Sequence, residues 1–297
     1  MVFSIDFQNV HAQCVPGTDL ISGAVLTADG CGTVPDGITS ITIEVIGGDG
    51  GNSTDYNGGA GATMKATFPV NSGDELVYLV GMAGEVGTTG GGGGGGGTAV
   101  INRTNGELLI VAGGGGGGID NGADGGGGSA AINTDPTEGS GGSGFFAGGG
   151  GGFGAGNKGS NGVSGPPPYG GDAFTLTSIS AAAGGAGNST GGNGAGGGGG
   201  TIGGGGGGGG FKGGTGGYIG SGGGGGSSFV HVDGTVIANI AKGLGSGSQS
   251  NGQVKFTFGA SPAAIPTMSE WGLIILALLL MTMGTLYLIQ PQYGNER

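Results

Sequence analysis

Unbroken runs of glycine limit what this chain can fold into more than any other feature of its sequence. The two longest, Gly90 to Gly97 and Gly203 to Gly210, contain eight glycines each, and glycine supplies 90 of the 297 residues. A collagen helix is excluded because it needs glycine at every third position with abundant proline, and only 10 prolines occur. Charge-driven disorder explains the chain poorly, since only 9% of residues are charged and the runs alternate with β-branched and aromatic segments.

Ordering such runs requires a compensating interaction, because glycine loses more backbone freedom than any other residue. Helices of polyproline-II geometry provide one, since without Cβ atoms they can pack side by side and hydrogen-bond laterally through N–H and C=O groups. We predict such a polyglycine-II helix bundle, because nearly every run adjoins a predicted strand. Flexible loops are the alternative. The runs are Gly90 to Gly97, Gly113 to Gly118, Gly148 to Gly152, Gly196 to Gly200, Gly203 to Gly210 and Gly222 to Gly226.

The segments between the runs have the side-chain alternation of β-strands. Residues 41–45, 63–70 and 254–258 alternate apolar with polar side chains, which is typical of half-buried antiparallel strands. Residues 75–81 and 107–113 are more continuously apolar, which suits central positions in a sheet.

Two hairpins are predicted from turn dipeptides that follow such strands. Asn105-Gly106 is expected to join residues 98–101 to residues 107–112, and Asp233-Gly234 to join residues 227–232 to residues 235–240. The predicted fold class is therefore all-β, an antiparallel β-sandwich with the polyglycine-II helix bundle inserted into it.

The C-terminal region has a different character. Residues 273–289 form an uncharged apolar segment with Trp271 before it and Tyr287 near its end. Seventeen helical residues rise about 26 Å, so we predict one C-terminal transmembrane helix, with a buried core helix as the alternative. A short tail, residues 290–297, follows it.

The N-terminal region suggests export. Val10 and Ala12 have the spacing of a signal-peptide cleavage site, so residues 1–12 are predicted to be the remnant of a signal peptide that begins upstream of Met1. A first strand is the alternative. An even cysteine count in an exported chain favours a Cys14–Cys31 disulfide within residues 13–37, and free thiols are the alternative.

We accordingly divide the chain into a signal-peptide remnant, a cysteine-containing segment, a glycine-rich β domain, a linker with a motif described below, a transmembrane helix and a tail. Their bounds are 1–12, 13–37, 38–259, 260–272, 273–289 and 290–297.

Charge and motif content argue against nucleic-acid binding and catalysis. The net charge is −12, with 7 Lys plus Arg against 19 Asp plus Glu, whereas phosphate backbones require clustered cations. Glycine-loop motifs carry no information in such a sequence, and none is followed by GK[ST]. His231 lies in an alternating segment and is interpreted as a surface residue rather than a base. We therefore predict a non-enzymatic protein without a cofactor or metal.

Four acidic residues lie in glycine-rich loops, a setting in which some proteins bind calcium. Asp124, for example, is followed by two glycines instead of the apolar residue that calcium-binding nonapeptide repeats place two positions later. We interpret these carboxylates as turn residues. They are Asp49, Asp55, Asp120 and Asp124.

The order of strands and runs over residues 38–258 resembles the glycine-rich domain of the anaplastic lymphoma kinase and leukocyte tyrosine kinase ectodomains. The segments that carry the resemblance include "ITIEVIGGDGG", "ELLIVAGGGGGG" and "GGGGGGGGFKGGTGGYIGSGGGGGSSFV". The resemblance implies a sandwich of tumour-necrosis-factor-like character that binds a protein ligand. No ligand-contacting residue can be carried over, and no kinase motif is present.

A shorter and sharper resemblance concerns "IPTMSEWG". With the apolar segment after it, this motif resembles the IPTL-CTERM sorting signal of Gram-negative bacteria, with methionine in place of the usual leucine. The resemblance implies recognition by an exosortase-type membrane enzyme and delivery to the cell surface. The motif residues are Ile265, Pro266, Thr267, Met268, Ser269, Glu270, Trp271 and Gly272.

These observations predict a non-enzymatic exported surface protein with a structural or adhesive role in a matrix or envelope. Its expected partners are the membrane, the exosortase-type enzyme and either further copies of itself, an extracellular polysaccharide or a protein ligand. One alternative is a surface module that binds a specific protein or glycan. Another is a single-pass membrane protein that is never cleaved.

Overall fold

A computed structural model describes most of the chain. The described residues are 18–120, 123–135, 140–144, 146–163, 168–178, 180–187, 189–200, 203–241, 245, 247–259, 272 and 275–283. The chain divides into two compact units, Met1–Gly259 and Ala260–Arg297.

The first unit contains eleven described strands, and all but three of them lie where the sequence predicts a strand. They are β1 Val25–Leu26, β2 Gly30–Thr33, β3 Ser40–Ile46, β4 Thr63–Pro69, β5 Glu75–Leu79, β6 Thr98–Asn102, β7 Glu107–Ala112, β8 Ser129–Asn133, β9 Ser227–Val230, β10 Thr235–Ile240 and β11 Gln253–Phe258. The three that the sequence did not predict are β1, β2 and β8.

The strands form two sheets. The front sheet has five strands in the order β1-β11-β3-β4-β10, and the back sheet has six in the order β2-β5-β6-β7-β9-β8. Neighbours are antiparallel throughout, except that β8 runs parallel to β9. This arrangement is compatible with the predicted β-sandwich.

The main core lies between the two sheets. Alternate residues of β3 are fully buried, and Ile41, Ile43 and Val45 pack with residues of the facing β7 such as Ile110. The polar residues between them face outward, where Glu44 pairs with Lys65 of β4 at 3.2 Å. The period-2 pattern of the sequence therefore places one face of the front sheet in the core.

The back sheet is buried on both faces, because a second core covers its other side. Leu79, Val111 and Phe229 of the sheet pack there against Phe153 and Phe211 from the glycine-rich region. Two buried faces explain why β5, β6 and β7 are nearly continuous apolar segments instead of alternating ones.

The prediction of a hairpin around Asp233-Gly234 is wrong. Strand β9 pairs with β7 and β8 in the back sheet, whereas β10 pairs with β4 in the front sheet. The turn therefore carries the chain from one sheet to the other. The Asn105-Gly106 prediction is confirmed, since β6 and β7 pair directly and Gly106 has a positive φ of 69°.

The glycine runs pack side by side as hydrogen-bonded rods. In the rod formed by residues 91–97, the N–H groups of Gly92 and Gly95 donate to the carbonyls of Gly118 and Gly115. Other N–H and C=O groups of this rod form hydrogen bonds with four further segments. Along each segment the bonded residues are again three positions apart. The segments are residues 82–85, 48–51, 194–200 and 206–209. A repeat of three residues is that of polyproline-II geometry, so the lateral bonding expected of a polyglycine-II bundle is present.

Glycine is required in these rods for space and not for an unusual backbone conformation. None of residues 91–97 has a positive φ. A Cβ atom on Gly94 would lie less than 3.0 Å from the carbonyl oxygen of Gly207, and one on Gly93 would lie equally close to that of Thr190. Because the nearest atoms belong to neighbouring backbone, no side chain can move aside to make room.

The prediction of a C-terminal transmembrane helix over residues 273–289 is wrong. In the second unit the helix α1 is described over residues 275–283. Among the described residues, no helix has the length and apolar character needed to cross a membrane.

Candidate functional site

The acidic residues of the glycine-rich loops act as hydrogen-bond acceptors for backbone N–H groups. Asp49 follows β3 and is buried, and its carboxylate accepts the N–H groups of Gly61, Ser248 and Ser250 at 2.8 to 3.0 Å. Asp124 accepts the N–H of Asn57 at 2.9 Å. Charge-assisted bonds of this kind stabilise loops more strongly than neutral ones.

Asp120 joins two separate loops in the same way. It accepts the N–H groups of Thr54 at 2.8 Å and Gly90 at 3.0 Å. Partial burial acts to raise the pKa of this carboxyl, but these bonds, together with the hydroxyls of Ser53 and Thr54, hold its pKa below the usual value. Asp55, by contrast, is exposed. Within the described parts of the chain, no cluster of three or more acidic, histidine or cysteine residues could hold a metal ion.

A cleft of about 200 Å³ lies at one end of the sandwich, where three turns meet. His231 stands on one side of it, and its Nδ1 lies 3.5 Å from a carboxylate oxygen of Asp233. The side chains of Asn71, Asn105 and Glu107 have no hydrogen-bond partner among the described residues. The lining consists of Phe68, Pro69, Val70, Asn71, Asn105, Glu107, Leu109, His231 and Asp233.

The sequence did not predict this cleft, although it contained part of the signal. Asn105-Gly106 and Asp233-Gly234 were both identified as turns, but only the two-sheet arrangement shows that they share one end of the molecule. His231 is largely buried, with 17% of its side chain exposed, rather than the open surface residue that its alternating segment suggested.

The predicted disulfide is only partly described. Cys31 lies in β2 and is disulfide-bonded. Cys14 lies outside the described residues, as do residues 1–12, so the specific pairing and the signal-peptide remnant remain predictions.

The C-terminal motif is where the chain matches a known family of sequences. Residues 263–286 match the IPTL-CTERM motif. The match includes Ile265 to Gly272, of which the structure describes only Gly272. It begins shortly after the first compact unit ends at Gly259. It supports a bacterial protein that is exported and directed to the cell surface by a C-terminal sorting signal.

No curated protein matches the chain. The resemblance of residues 38–258 to the glycine-rich domain of the two receptor kinases is therefore not supported.

Proposed function

We propose that this chain is a non-enzymatic surface protein with a structural or adhesive role. In this proposal an exosortase-type enzyme recognises the C-terminal signal, cleaves near it and releases the glycine-rich domain to the cell surface. The observation that carries the proposal is the IPTL-CTERM match over residues 263–286, which starts just beyond the boundary of the folded unit at Gly259. Cleavage near the motif would therefore leave the whole folded unit intact.

The construction of the domain supports a mechanical role. The back sheet shares hydrogen bonds with the rods, as where Ser129 of β8 donates to Gly226 and Gly113 donates to the hydroxyl of Ser228 in β9. The buried carboxylate of Asp49 links segments that are about 200 residues apart in the sequence. Such long-range links resist local opening, which suits a protein that must persist outside the cell.

Processing can be tested in a bacterium that contains an exosortase-type enzyme. One epitope tag is placed after Arg297 and another within the folded unit, and mature protein is analysed by mass spectrometry. We expect the surface form to lack the C-terminal tag, and the double substitution Pro266→Ala with Trp271→Ala to retain it. Gln292→Ala, outside the matched residues, is the matched control and should be processed normally. A surface form that retains Arg297 and the tag after it would refute processing.

A second candidate function is recognition of a specific protein or glycan, and the cleft beside His231 favours it. Its unpartnered amide and carboxylate side chains, Asn71, Asn105 and Glu107, offer both donors and acceptors to a hydroxyl-rich ligand. Titration of the purified chain with candidate glycans would test this. Saturable binding that Glu107→Gln weakens at least about tenfold supports recognition, and the absence of saturable binding leaves the structural role.

A further inference from the structure

Strand β10 ends the front sheet and is exposed along its length. It pairs with β4 on one side only. Val236, Ile237 and Ile240 remain 39%, 55% and 49% exposed, although a strand of a sandwich normally buries one face. The backbone of β10 makes no hydrogen bond to any described residue outside β4.

This edge lacks most of the features by which proteins prevent strand-to-strand association. Natural edge strands are usually short or carry a lysine, an inward-pointing charge or a proline. Residues 235–241 contain no charged residue and no proline. A register shift between Val236 and Ala238 is the one irregularity, and it leaves Ile237 exposed.

We propose that a second copy of this chain pairs with β10, so that two front sheets join into one continuous antiparallel sheet across a two-fold axis. Charge favours this location, and the self-complementary register derived below favours this occupant. Two chains of net charge −12 repel each other, and an uncharged strip is where their surfaces can approach.

The pairing with β4 fixes which face of the sheet each residue of β10 occupies. Val236 and Asn239 lie beside Ala66 and Met64, which are buried, and therefore belong to the inner face. Thr235 and Ile240 lie beside Thr67 and Thr63 of the outer face. The pairing with β4 therefore assigns a face to every residue of β10 except Ile237, which lies at the register shift.

A symmetric antiparallel pair centred between Ile237 and Ala238 respects these faces. It sets Thr235 opposite Ile240 of the second copy, both on the outer face, and Val236 opposite Asn239, both on the inner face. Residues directly opposite each other in a sheet must share a face. The strand is therefore self-complementary in this register, as a two-fold interface requires.

The inference deepens the proposed structural role, on which it rests, because it supplies the self-association that a surface layer needs. The two can fail separately. Dimer formation is measured on the purified, unprocessed 297-residue chain, whereas processing is read from the C-terminus of the surface form in cells.

The first experiment compares two isoleucines of equal exposure. Ile237 in β10 and Ile219 in the turn before Ser221 are both 55% exposed. We expect the full chain, in a nonionic detergent, to sediment at twice the monomer mass. Ile237→Lys should weaken self-association by about tenfold or more, because it introduces like charges at the shared edge, whereas Ile219→Lys should leave it unchanged. Circular dichroism checks that both variants fold.

The second experiment tests the register. A chain carrying both Val236→Cys and Asn239→Cys should form a covalent dimer under mild oxidation, because the two positions face each other across the axis. Val236→Cys alone should not. A monomeric wild-type chain, a dimer that persists in Ile237→Lys, or equal cross-linking of the single and double variants would each overturn the proposal.

Discussion

At Gly94 the missing side chain matters because of what surrounds it. The residue belongs to one rod, and the backbone carbonyl of Gly207 in a neighbouring rod occupies the space that a Cβ atom would need. Gly37 lies in an open turn, has a positive φ of 77° and has nothing within 4 Å of its Cβ position. Both residues are glycine for physical reasons, but the reasons differ, and substitution can separate them.

Gly94→Ala is expected to destabilise the first unit strongly. Overpacking normally costs about 1 to 3 kcal/mol, and here only backbone can yield, so we expect the melting temperature to fall by about 6 °C or more. Gly37→Asn is the control, because asparagine tolerates positive φ and the position is open; its change should stay within about 2 °C. Equal melting temperatures for the two variants would mean that the rods do not pack as described.

Asp120 should make stability depend on pH. Its pKa is lowered in the folded chain, so its contribution is present above the unfolded value of about 3.9 and is lost as pH falls through the lower folded value. Asp120→Asn should therefore lower the melting temperature at pH 7, and the difference from wild type should shrink as the pH approaches 3. Asp55→Asn, at an exposed carboxylate without a described partner, should show no such trend. A difference that stays constant with pH would contradict the role assigned to Asp120.

At the scale of elements, the local side-chain pattern predicted the positions of most strands but not how the strands pair. Period-2 alternation located β3, β4 and β11, because a strand that buries one face alternates apolar and polar side chains along consecutive residues. It could not show that β9 and β10 join different sheets, since that depends on pairing with β7 and β4 far away in sequence.

Short strands and contacts between distant parts of the chain could not be predicted from the sequence either. β1 has two residues and β2 is half glycine, so neither carries a readable period. The role of Asp49 depends on Ser248 and Ser250, about 200 residues away, and no spacing rule connects them. The sorting motif could be identified because its information lies in one contiguous stretch.

Phe211 joins two kinds of element, the glycine-rich region and the back sheet. Its ring is fully buried and stacks on Phe229 of β9 with centroids 4.7 Å apart. Phe211→Ala should cost about 3 to 5 kcal/mol, or about 10 °C in melting temperature. Val163→Ala, at a side chain that is 73% exposed, should change it by about 1 °C or less. A small effect at Phe211 would mean that the second core contributes little to stability.

For the whole molecule the decisive question is whether the rods and the sheets form one cooperative structure. The hydrogen bonds interleave the two: Ser129 of β8 donates to Gly226 at the end of one run, and Gly113 at the start of another run donates to the hydroxyl of Ser228 in β9. These runs cannot open without breaking bonds to strands of the back sheet. Flexible loops of the same composition would share no such bonds.

Amide hydrogen exchange tests this directly. The N–H groups of residues 92–97 all donate to carbonyls of other segments, so we expect them to exchange about a thousandfold or more slowly than in an unstructured glycine peptide. Their protection should match that of β3 and β7, because all would be exposed in the same global opening. The amides of Gly106 and Gly220, both at exposed turns, serve as internal references and should exchange fast. Exchange of residues 92–97 as fast as these turns, with β3 still protected, would mean that the glycine runs are flexible loops on a sandwich. That result would contradict the packed polyglycine-II bundle.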